Sequence, residues 1–121
     1  LTLFNIGKYV FATVFLVFGA LHFMNADAMA GMVPASVPGG VMWVYLTGLA
    51  HIAFAVAIYT GRYAKLACQL MALMLIIFVA LIHLPAAMGG DMAAPGNVLK
   101  DLGLAAGALI LGNNYQEGPG L

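Results

Sequence analysis

Apolar side chains run along the chain in four long stretches, separated by glycine, proline and short polar clusters. The first covers residues 6–24 and is interrupted only by Gly7, Lys8 and Gly19 and softened by Thr13. A spanning helix needs about 20 mostly apolar residues, a length this run meets. Residues 25–40 hold Pro34, Pro38 and the Gly39-Gly40 pair and read as a loop. A second run, 41–59, opens on Trp43, Val44 and Tyr45, an aromatic group of the kind found at membrane interfaces. Gly61-Arg62-Tyr63 marks a tight turn, and 64–84 is the third run. Pro85 to Gly96 is loop again, after which Asn97 is placed to cap a fourth helix over 98–111.

That fourth helix is short. Roughly 14 residues give about 21 Å, against a hydrocarbon core of about 30 Å. Lys100 and Asp101 fall in its first turn, where the helix dipole favours the carboxylate and the lysine snorkels to the interface. The pattern therefore predicts one all-α domain, a four-helix transmembrane bundle with spans near 6–24, 41–59, 64–84 and 98–111.

Composition sharpens the picture. Hydrophobic residues make up 64% and charged residues 7% of the 121, and mean hydropathy is +1.06. Soluble domains carry about a quarter charged residues, so the lipid bilayer is the expected surrounding. So little charge excludes an intrinsically disordered chain and a nucleic-acid-binding surface. Cys68 stands alone, so no internal disulfide forms. Lys8, Arg62 and Lys65 fall on one side of the four-span arrangement and only Lys100 on the other. The positive-inside rule then puts both termini in the cytoplasm, in a bacterial-type inner membrane. The chain opens on Leu1 rather than Met, and further residues are expected ahead of it.

An internal echo links the first and third runs. FLVFGALHF over 15–23 matches IIFVALIHL over 76–84 in character, aligning His22 with His83. Both histidines close an odd-numbered span at similar depth, as a parallel duplication would place them.

Ionisable groups inside a membrane point to function because burying them unpaired is costly. The candidates are His22, His83 and His51, with Thr47 one turn from His51. Gln69, Ile76 and His83 repeat at seven-residue spacing and so share a face. Three readings stand open. The histidines are interfacial tips and interhelical contacts; or they hold a quinone headgroup or ligate a haem; or they join the outer methionines Met24, Met29, Met32, Met42, Met88 and Met92 in a copper site. Gly103 and Gly107 form a small-xxx-small motif suited to close helix packing, within the bundle or against a partner subunit. No acidic residue falls inside a predicted span, which argues against a carboxylate proton or sodium path. No nucleophile triad, catalytic carboxylate pair or phosphate loop is present, and no catalytic activity of the chain's own is expected.

Several motifs together resemble the DoxX family of small four-helix membrane proteins. They are Phe18-Gly19-Ala20-Leu21-His22-Phe23 closing the first helix, Val33-Pro34 in the loop, Tyr45-Leu46-Thr47-Gly48-Leu49-Ala50 entering the second, the Gly61-Arg62 turn, and His83 ending the third. The resemblance covers roughly residues 6 to 112. Where many members carry an acidic residue after the Thr-Gly pair, this chain has His51. The resemblance implies a four-helix bundle and an accessory subunit of a larger inner-membrane redox or respiratory complex. The best-known members are linked to thiosulfate oxidation with quinone as acceptor.

Overall fold

The computed structural model describes residues 2–120, so the chain start at Leu1 lies outside the described residues. Four long helices dominate: α1 (Leu3–Met24), α2 (Val41–Thr60), α3 (Ala64–Met88) and α4 (Ala94–Gly112). No strand is present among the described residues. Three of the helices, α1, α2 and α3, are long and apolar enough to cross a membrane, consistent with a membrane protein.

The boundaries differ from the sequence expectation at three places, each with a local cause. Thr2 caps α1 by accepting a hydrogen bond from the Asn5 N–H at 3.2 Å, so that helix starts at Leu3 rather than Ile6. Pro85 does not end the third helix. A π-turn over Val79–His83 precedes it, and the Leu84 N–H reaches Val79 five residues back. A widened turn accommodates a proline that lacks an N–H and crowds the preceding turn, so the helix continues to Met88. The fourth helix begins at Ala94, not Val98. Asp91 Oδ1 accepts from the Ala93 N–H at 2.9 Å, and Pro95 occupies the first turn, where its missing donor does no harm. Asn97 lies inside the helix rather than capping it.

The ends of the molecule differ in character. One end carries the long 25–40 connection, with a single helical turn at Ala26–Met29, and the short 89–93 connection; we call it the loop end. At the other, the turn end, Gly61 takes a left-handed φ of 73° to reverse the chain between α2 and α3. The C-terminal tail folds back there. The Tyr63 N–H donates to Pro119 O at 3.2 Å, and Lys65 Nζ donates to Tyr115 O at 3.1 Å.

All four helices contribute to one apolar core. Phe15, Phe54, Ile58, Met71 and Leu75 supply bulk, and Ala12, Ala55, Ala72, Ala105 and Ala108 let the backbones approach. Large apolar side chains also cover the outside, Leu66, Leu70, Leu73, Ile77 and Leu81 along α3 among them. A helix apolar on every side suits a lipid surround rather than water.

Within this arrangement the closest neighbours are α1 with α2 and α3 with α4. Gly19 and Gly48 create the first approach. A Cβ at Gly48 would lie 2.9 Å from His22 Cβ and 3.1 Å from Gly19 O, and a Cβ at Gly19 would lie 2.8 Å from Gly48 O. In the second pair a Cβ at Gly112 would lie a comparable 2.8 Å from Cys68 Cβ.

Candidate functional site

Ionisable side chains from all four helices gather in the loop-end half. The Gly19–Gly48 contact brings His22 of α1 and His51 of α2 together, their ring centroids 4.9 Å apart and tilted by 30°. Each Nδ1 sits against a carbonyl one turn back, 2.6 Å to Phe18 O for His22 and 2.8 Å to Thr47 O for His51. A carbonyl only accepts, so both Nδ1 atoms carry the proton and donate it. In the neutral form each ring keeps its lone pair on Nε2. Among the described residues neither Nε2 has a protein hydrogen-bond partner. Thr47 thus serves His51 through its backbone carbonyl.

The second pair joins α3 to α4. His83 Nε2 lies 3.1 Å from Asp101 Oδ2, and Lys100 Nζ lies 3.3 Å from Asp101 Oδ1. His51, His83 and Asp101 are 4%, 7% and 3% exposed. The Lys100 side chain is 43% exposed, and its ammonium lies 5.0 Å from the centre of the Phe18 ring. The same Phe18 ring lies 6.4 Å from the His51 ring and so links the two pairs.

The π-turn is what turns His83 inward. On an unbroken α-helix, seven-residue spacing would keep His83 near Gln69 and Ile76, both of which are exposed. One extra residue in the turn sets the following positions back by about 100°. His83 therefore leaves that face and joins the buried line of Ala72, Leu75 and Val79. The expectation of a shared Gln69–Ile76–His83 face is corrected accordingly.

Asp101 is the second correction. With α4 beginning at Ala94, Asp101 lies about 10 Å along the helix rather than in its first turn, and it is buried. A signal was present in the sequence: Asp101, Ala105, Ala108 and Gly112 recur at helical spacing and form the buried line of α4. Gly19 and Gly48, which create the crossing, stood inside the motifs quoted above without being read as packing residues.

The remaining candidates separate. Gly107 faces inward, where an added Cβ would meet the Phe11 ring at 2.9 Å, whereas Gly103 has nothing within 4 Å and faces out. Met24, Met32, Met42, Met88 and Met92 are exposed, the last by 95%. Among the described residues no group of three or more His, Cys, Asp or Glu is arranged to hold a metal ion. Haem does not fit the His22–His51 pair, because rings in mutual contact leave no room for a macrocycle between them. Two apolar grooves lie elsewhere, one of about 590 Å³ along α1 from Ile6 to Phe18 and one of about 360 Å³ between α2 and α3.

Fold and site together define an all-helical protein with three membrane-length helices and a buried His83–Asp101 pair flanked by Lys100. A family model described as Domain of unknown function (DUF8561) matches residues 11–108, and the chain belongs to that family. The matched segment contains His22, His51, His83, Lys100 and Asp101. Neither the curated proteins nor the solved structures contain a significant match to the chain.

Proposed function

We propose that the chain is a four-helix transmembrane bundle, similar to DoxX proteins, with both termini on the cytoplasmic face of a bacterial-type inner membrane. In this reading it is an accessory subunit of a redox or respiratory complex, and its loop-end histidine cluster receives a quinone headgroup. The observation that carries the reading is the gathering of ionisable contacts from four helices in the loop-end half, His22 against His51 and His83 against Asp101 with Lys100. Apolar side chains would pack there at less cost, and intramembrane ionisable groups mark proton-handling and ligand sites. A quinone supplies two-electron, two-proton redox chemistry when bound. On the protein side, the Nε2 lone pairs of His22 and His51 would accept from the hydroxyls of the reduced quinol form, and Lys100 would donate to a carbonyl of the oxidised form. Asp101 offsets the lysine charge at 3.3 Å, which suits a neutral headgroup better than a phosphate.

Native mass spectrometry of the protein released in mild detergent tests this. Other subunits on the 12.6 kDa chain support the accessory role, and a bound quinone mass supports the site. A bare chain with neither overturns the reading. Gly103, open on the outer face of α4, is the half of the GLAAG motif free to meet a partner helix. Gly103→Leu should then release the chain from co-purifying subunits, and undiminished co-purification would count against that face.

A further inference from the structure

We propose that the histidine cluster takes up protons from the loop end alone and is closed to the turn end by a phenylalanine layer. This rests on the reading above only in that the cluster exchanges protons.

The connection to the loop end is built from charged groups. His22 of α1 is only half-buried, close to the Met24 terminus of its helix. Lys100 is 43% exposed and lies about 9 Å from the start of α4, within reach of the loop-end surface for a snorkelling lysine. From Lys100 the polar contacts run to Asp101 and on to His83, and the Lys100 ammonium lies over the Phe18 ring, itself 6.4 Å from the His51 ring. The groups facing the cluster are thus His22 from α1, His51 from α2, His83 from α3, and Lys100 and Asp101 from α4.

Toward the turn end the surroundings change abruptly. The Phe15 ring lies 5.5 Å from His51, Phe54 lies 4.6 Å from Phe15, and Phe11 lies 5.1 Å and 6.1 Å from Phe15 and Phe54. Phe15 and Phe54 are buried to 0% and 2% exposure. Beyond them the core continues as Ala12, Ala55, Ile58, Met71 and Ala108. Proton transfer needs a chain of hydrogen-bonding groups, and this stretch of core supplies none among the described residues. The polar groups nearer the turn end are spent on one another or stand apart: Thr13 Oγ1 bonds the Tyr59 hydroxyl at 2.6 Å, and the buried Tyr115 hydroxyl has no partner.

A group that is protonated part-way across a membrane from one side moves charge once and then stops. The test is a pH step, from about 8 to about 5.5 and so bracketing the ordinary histidine pKa of about 6.5, on the intact protein in solid-supported membranes. Insertion in each direction is verified by protease access to a C-terminal tag. The expected result is a transient charge displacement, without steady current, only when the loop end faces the step. His22→Gln should weaken that transient, and the comparison of the two orientations needs no variant at all. A steady current, or transients from both faces, would overturn the one-sided access while leaving the proposed proton-handling site standing. No displacement in either orientation would overturn both.

Discussion

Two glycines on different helices, Gly48 of α2 and Gly103 of α4, give opposite responses to the same added methyl group. At Gly48 the new Cβ would lie 2.9 Å from His22 Cβ, 3.0 Å from Phe23 Cε2 and 3.1 Å from Gly19 O. Carbon atoms settle at about 3.5–4.0 Å, so α1 and α2 must part by roughly half an ångström or more. Overpacking of this kind costs about 1–3 kcal/mol. Replacing glycine in a helix returns about 0.8–1 kcal/mol, leaving Gly48→Ala neutral to about 2 kcal/mol less stable. At Gly103 nothing lies within 4 Å, so Gly103→Ala keeps the helix gain of up to about 1 kcal/mol. The assay uses the protein's one cysteine. Cys68 is fully buried, so a fluorogenic maleimide reacts with it only as the core opens on heating in detergent. Gly48→Ala should expose the thiol at a lower temperature than Gly103→Ala. Equal melting of the two variants, or the reverse order, would refute the claim that the Gly19–Gly48 contact sets the His22–His51 approach.

Two further outcomes follow from local features. Pro85→Ala restores an N–H and removes the crowding ahead of it, so the π-turn should tighten and swing His83 away from Asp101. Imidazole nitrogen resonances would report the lost carboxylate partner, and an unchanged His83 signal would show that the ion pair rather than the proline holds the turn. Tyr115 sits beyond the end of α4, where burial, with smaller contributions from Cys68 and Tyr9, raises its phenol above the ordinary value of 10. The folded form then keeps this proton after the unfolded form has lost it, so its contribution is full below pH 10 and fades as pH rises through the folded value. Tyr115→Phe should lose less stability than the parent between about pH 9 and 11.5, and at neutral pH should gain up to about 1–3 kcal/mol from removing an unpartnered buried hydroxyl. Identical alkaline melting curves would exclude Tyr115 as the source.

The long helices were legible because each rests on a long, mostly apolar run, a signal that depends on no partner. Their ends were less so, since proline carries two meanings. Pro95 reads as a breaker in the sequence, yet it starts α4 from the first turn. Pro85 reads as a terminator, yet a π-turn carries the helix past it. Those two residues also hid most of the site. The late start assigned to the fourth helix put Asp101 at the surface, and regular α-spacing put His83 on the exposed face. The three histidines were visible as the rare ionisable groups in apolar segments. Their partners were not, because matched depth suggested His22 with His83, whereas the glycine crossing pairs His22 with His51.

The tight pairing of α1 with α2 and of α3 with α4 bears on how such a chain is made. Helices that enter a bilayer in succession must each dispose of their polar side chains before the full assembly exists. Here the first hairpin contains both His22 and His51, and the second contains both His83 and Asp101 together with Lys100. In the proposed four-helix membrane arrangement, each hairpin would meet the lipid with its polar groups already turned toward one another. Biogenesis of that arrangement would then run as two insertion events followed by a lateral docking in which chiefly apolar surfaces meet.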